Sequence, residues 1–176
     1  SLNLVIATHA HADHIGGMLE VLQTIPASLY VDQGMAHTSA TYTALMNFVE
    51  SSGQPYRTGR AGQSFSLGTE VEIEILHPQD SLLDQTRSDL NANSIVVRVT
   101  HQDVCILLTG DSEGITEEVL LSKGIGSCQV LKVAHHGSGY STSAAWLRTI
   151  QPEIALVSSG QRNRYGHPDT DTMARL

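Results

Sequence analysis

Apolar positions along this chain follow two alternating periods. The run Leu4-Val5-Ile6-Ala7 is short and continuous, the signature of a buried strand. Beyond it, Ile15, Met18, Leu19 and Leu22 recur at helical spacing, and Pro26 closes that helix before a short strand at Leu29-Tyr30-Val31. A second helix spans Thr41 to Val49, with Leu45, Met46 and Val49 on one face, and stops at Ser51-Ser52-Gly53. From Thr69 to Ile75 polar and apolar residues alternate strictly, so this strand has one face in water and its glutamates belong to that wet face.

A polar stretch from His77 to Asn93 follows, long enough to suggest a functional loop. Two apolar strands come next, Ile95 to Val99 and Val104 to Thr109, joined tightly through His101-Gln102-Asp103 as a hairpin. Then the pattern alternates: a helix across Glu117 to Leu121 ended by Gly124, a strand at Val130-Leu131-Lys132-Val133, a helix from Ala144 to Ile150 and a strand at Ile154-Ala155-Leu156-Val157. Pro168 suits the first turn of a last helix. These elements make one α/β domain of α+β character, 1–176.

Candidate chemistry begins where the first strand ends. Thr8-His9-Ala10-His11-Ala12-Asp13-His14-Ile15-Gly16-Gly17 sets three histidines and a carboxylate within six residues. In extended backbone His9 and His11 point the same way and can share one ion, while Asp13 and His14, past the bend, can face a second. Met18 is core packing, not a ligand.

This segment resembles the His-x-His-x-Asp-His signature of the metallo-β-lactamase fold, whose members are mostly binuclear metallohydrolases. Leu107-Leu108-Thr109-Gly110-Asp111 is similar to the family's strand-end aspartate, which bridges the two metals. Val133-Ala134-His135-His136-Gly137-Ser138 looks like a further ligand segment. With Asn91-Ala92-Asn93-Ser94 and Arg164-Tyr165-Gly166-His167-Pro168 added, the pattern is similar to the nuclease-like domains of ComEC-type DNA-uptake proteins, from Leu4 to Leu176.

The resemblance implies an αββα sandwich, two divalent ions (Zn²⁺ or Mn²⁺), and a metal set of His9, His11, Asp13, His14, Asp111 and His136. His135 and His136 would point in opposite directions in a strand, so only one is expected to bind. His136 is favoured as ligand, with His135 left to orient substrate or donate a proton. Most binuclear members supply another histidine to the first metal from the segment that here reads Asp89-Leu90-Asn91-Ala92-Asn93. His77 is displaced from that position, and Asp89, an Asn carbonyl or water are the alternatives; weaker nitrogen ligation would favour Mn²⁺. His167 is expected at the active-site rim, with a helix cap as its structural alternative, and Arg162, Arg164 and Ser138 are expected to contact substrate. Asp13, His135 and His167 make up the expected catalytic set.

The implied activity is hydrolysis of a phosphodiester, possible substrates including single-stranded DNA; two metals would lower the pKa of water to near neutral. Alternatives are a hydrolase for a thioester, lactone or lactam, or a metal-bearing module that no longer cleaves. A net charge of −8, from 18 acidic and 10 basic residues, argues against gripping a long polyanion by bulk electrostatics. Cys105 and Cys128 lie in apolar runs and are read as buried thiols, with no disulfide-linked partner. The family fold normally has strands before the histidine motif and after the last helix, so the chain is expected to be part of a longer protein, whose membrane-channel portion would lie outside it.

Overall fold

The computed structural model describes Ser1 to Leu176. The opening apolar run forms β1 (Val5–Ile6) and ends where histidines take over; α1 (Ala12–Ile15) and α2 (Met18–Thr24) return the chain to β2 (Tyr30–Asp32), and α3 (Ala40–Ser51) leads to β3 (Tyr56–Thr58). Because each crossover is helical, β1, β2 and β3 pair in parallel as a three-stranded sheet. Ser39 caps α3 by accepting from the backbone N–H of Tyr42 at 3.2 Å.

The second sheet holds six strands in chain order: β4 (Ser64–Leu67), β5 (Val71–His77), β6 (Val96–His101), β7 (Val104–Leu108), β8 (Val130–Lys132) and β9 (Ile154–Leu156). Pairing is antiparallel through β7 and parallel from β7 to β9, because α5 (Gly114–Ser122) and α6 (Ala144–Ile150) carry the last two crossovers. On β5 the alternation behaves as its period requires: Ile73 and Ile75 are buried, and Glu74 meets Arg98 of β6 at 3.6 Å.

Three apolar clusters define the layers. Val31, Ile73, Ile75, Ile95 and Val97 fill the space between the sheets. Ile15, Leu22, Tyr30, Leu45 and Val49 join the first three helices to the small sheet, while Leu107, Leu120, Leu131, Trp146 and Ile150 join α5 and α6 to the large one. The result is the expected αββα sandwich. Its outer helices bury one stripe each, which is why their sequences show helical periodicity so plainly.

Several expectations need correction. β3 and β4 are short and half-exposed, too weakly apolar to announce themselves. The long polar stretch contains a one-turn helix, α4 (Asp89–Ala92), capped by Ser88. Pro168 stands before the last helix, α7 (Thr170–Arg175), whose cap is Asp169, accepting from the N–H groups of Asp171 and Thr172. Cys105 and Cys128 are joined in a disulfide and are not thiols; the apolar runs that hid them place β7 beside the segment entering β8.

Candidate metal centre and substrate cavity

Three loops leave neighbouring strand ends and converge. His9 follows β1 and is almost wholly buried; His11 is the extended residue that caps α1, and the single turn of α1 carries Asp13 and His14. Asp111 follows β7 through Gly110, whose φ of +53° turns the chain; a Cβ there would lie 3.0 Å from the Cβ atoms of Thr8 and Ser94. That close approach seats the aspartate loop directly on the histidine loop. The third loop is tied to the second, for the N–H of His135 donates to the carbonyl of Gly110 at 3.1 Å.

Strand alternation does not separate His135 from His136. β8 stops at Lys132, and both histidines occupy left-handed backbone, φ 47° and 55°, in a 3-10 turn from Ala134 to Gly137. Such conformations cost roughly 1–3 kcal/mol each in non-glycine residues and persist only where the surroundings fix them. The rings nevertheless diverge, with centroids 6.2 Å apart. His136 Nε2 lies 3.3 Å from Asp13 Oδ2, 3.3 Å from His14 Nε2 and 3.5 Å from Asp111 Oδ2. His135 meets Asn91 Nδ2 at 3.4 Å and Glu113 Oε1 at 3.6 Å, and its Nε2 stands 3.8 Å from Asp111 Oδ2.

Two donor groups result. The ligating atoms of His9, His14 and Asp111 lie within 4.8 Å of one another, as do those of Asp13, His14 and His136. His14 therefore belongs to both, where the sequence assigned it only to the second. His11 stands just outside the first group, with Nδ1 2.9 Å from His9 Nε2.

Burial sets the protonation of this cluster. It lowers His9 to about 3, assisted by His14 and opposed by Asp111. His11 and His135 are also lowered, burial again being the main cause. Burial alone would raise the carboxyl of Asp111, but hydrogen bonds from His136 and His14 outweigh it and hold the group well below the usual range. His136 moves upward, chiefly through its bond to that carboxylate. The lowered imidazoles of His9 and His11 keep lone pairs beside an ionised carboxylate, a donor set that suits a cation.

The cluster opens into a cavity of about 530 Å³. His11, Asp13, Asp111, His135, His136, Ser138 and His167 line it, as does Arg87. His167 sits with its ring 5.5 Å from that of His135. Arg162 and Arg164 do not line it: they are exposed on the last loop, and Arg164 donates to the hydroxyl of Tyr165 at 2.8 Å. Ser138 is fully buried and accepts from the N–H of Tyr140 at 3.3 Å, a turn-forming role beside its place in the lining.

The sequence model of the metallo-β-lactamase superfamily matches residues 1–161. The chain belongs to the metallo-β-lactamase superfamily. Among curated relatives, Recombination protein 2 of Haemophilus influenzae is 31% identical over 99% of this chain and 20% of its own length. Competence protein ComA of Neisseria gonorrhoeae is 30% identical over 99% and 22%, and ComE operon protein 3 of Bacillus subtilis 28% over 99% and 22%. The chain thus spans about a fifth of the length of these relatives. Among solved structures, a protein of Parabacteroides distasonis assigned as a metal-dependent hydrolase superposes with a TM-score of 0.58 at 15% identity, covering 98% of this chain and 73% of the other. The isothiocyanate hydrolase from Delia radicum gut bacteria gives 0.50 at 18%, covering 89% and 62%. Both show the shared fold.

Within this metallo-β-lactamase domain, neither candidate for the absent histidine reaches the cluster as a side chain. His77 is buried with Nε2 2.9 Å from the carbonyl of Ala92. Asp89 accepts from the N–H and hydroxyl of Thr86. Asn91 does reach the cavity; it is buried and its Oδ1 has no hydrogen-bond partner. Arg87, Glu113, Tyr140 and Tyr165 were missed, since no spacing rule connects them to the histidine motif. The length of the 77–93 loop was the one signal that pointed toward Arg87.

Proposed function

We propose that this domain is a metal-dependent phosphodiesterase acting on DNA. The observation that carries the reading is the position of Asp111, with Oδ1 3.2 Å from His14 and Oδ2 3.5 Å from His136, so that one carboxylate serves both donor groups. His9 and His11, with Asp111, would hold one divalent ion, with Asn91 at its open side; Asp13, His14 and His136, with Asp111, would hold the other, each Zn²⁺ or Mn²⁺. When bound, such a pair polarises a phosphoryl oxygen and lowers the pKa of water.

The protein's own residues supply the rest. His135, outside both groups and beside Asn91, Glu113 and Asp111, orients the phosphate through its ring. Arg87 is the one arginine or lysine lining the cavity and pairs with a phosphate oxygen there. A lactam or thioester brings no such charge, which favours the phosphodiester. The competence and recombination proteins among the relatives support DNA as the polymer. No helix is long and apolar enough to cross a membrane. The Cys105–Cys128 disulfide supports an oxidising, extracytoplasmic setting, and any membrane-channel portion would belong to a longer protein.

Elemental analysis beside a nuclease assay on the intact protein tests the reading. Two ions per chain with metal-dependent cleavage of single-stranded DNA is the expected result. Metal without cleavage of any phosphodiester would favour a non-cleaving module, and cleavage of thioesters or lactams alone would refute the substrate class.

A further inference from the structure

Arg87 and Tyr140 form a ridge between two cavities. On one side is the histidine–aspartate cavity; on the other is a groove of about 500 Å³ walled by Leu82, Leu83, Thr86 and Ile115, and both ridge residues line each space. The guanidinium carbon of Arg87 lies 3.7 Å from the centroid of the Tyr140 ring. Arg87 Nη2 is fixed in turn by the buried Glu113 carboxylate at 3.1 Å. The backbone of Tyr140 is held on both sides, its carbonyl accepting from Gly114 and its N–H donating to Ser138. Tyr140 is nonetheless 62% exposed. An aromatic ring braced from behind and open in front loses little freedom when something flat settles on it.

We propose that Tyr140, backed by Arg87, is a stacking platform for a nucleobase of single-stranded DNA. The base occupies the groove beyond the ridge while its neighbouring phosphate lies in the histidine–aspartate cavity. This rests on the phosphodiesterase reading and adds how the polymer is recognised. Arg87 is the only lysine or arginine lining either cavity, in a chain of net charge −8, so backbone electrostatics supply little affinity and base contacts must supply more. Leu82, Leu83 and Ile115 offer apolar walls for the flat face of a base. A duplex keeps those faces stacked on each other, so the platform selects unpaired strands.

The test is fluorescence anisotropy of the intact, metal-loaded protein with labelled phosphorothioate strands, which resist cleavage: an oligodeoxyadenylate, an abasic oligomer of equal length and a duplex. The wild type is expected to prefer the base-bearing single strand over both others. Tyr140→Ala should weaken that strand about tenfold or more and leave the abasic oligomer unchanged, while Tyr140→Trp keeps the preference. No binding of the oligodeoxyadenylate, equal binding of base-bearing and abasic strands by the wild type, or equal losses for both in Tyr140→Ala would overturn the proposal. Hydrolysis of a bis-nitrophenyl phosphate by the metal-loaded protein is measured separately. Its absence would sink the phosphodiesterase reading, whereas the anisotropy judges the platform.

Discussion

Asp111 meets His14 through Oδ1 at 3.2 Å and turns Oδ2 toward His136, so a single carboxylate spans the two donor groups. Removing it should affect both ions at once. In Asp111→Ala, elemental analysis is expected to find metal content well below two ions per chain, with phosphodiester hydrolysis lost in proportion. Both ions at full stoichiometry in that variant would remove Asp111 from the bridging role.

His135 and His136 share a turn but face different partners, and their variants should separate cleanly. His136→Ala is expected to lower metal content and activity together; His135→Ala should keep the metals and lower turnover roughly 10²-fold, the scale of a misplaced substrate. Metal content and hydrolysis of a nitrophenyl phosphodiester are read on the same preparations. The reverse order would move the ligand to His135, and no effect from either would make the turn purely structural.

His77 gives the fold a pH dependence separate from the site. Burial lowers it from 6.5 to about 4, partly opposed by its bond to the carbonyl of Ala92. The folded protein therefore refuses a proton that the unfolded chain accepts, so this contribution is complete above pH 6.5 and is lost as pH falls toward about 4. The gap amounts to roughly 3 kcal/mol. Urea midpoints of His77→Gln, which keeps a donor for Ala92, should fall less between pH 7 and pH 5 than those of the wild type; parallel curves would exclude His77 as the cause.

Gly137 couples the histidine turn to the last loop. Its φ is +82°, and a Cβ would stand 2.7 Å from Pro168 Cβ, next to His167. Gly137→Ala should cost about 1–3 kcal/mol through a disfavoured conformation and a clash, and should lower activity by displacing His167 from the cavity. An unchanged urea midpoint would show that this contact is not tight.

The domain's layers and most of its metal-ligand candidates were legible in the sequence because they depend on local rules. Helical and strand periods marked α3, β5, β6, β7 and α6, and the spacing of His9, His11, Asp13 and His14 placed four donors beside one strand end. β3 and β4 escaped because half-exposed edge segments carry little apolar signal. Tertiary structure decided what spacing cannot encode. The separation of His135 from His136 comes from two left-handed residues pinned to Gly110, not from strand alternation. That Arg87 lines the cavity follows from the path of a polar loop, where its guanidinium meets Glu113 and Tyr140, residues remote in sequence. Periodicity reports which face of an element is buried; which distant side chain shares that space is fixed only when the layers pack.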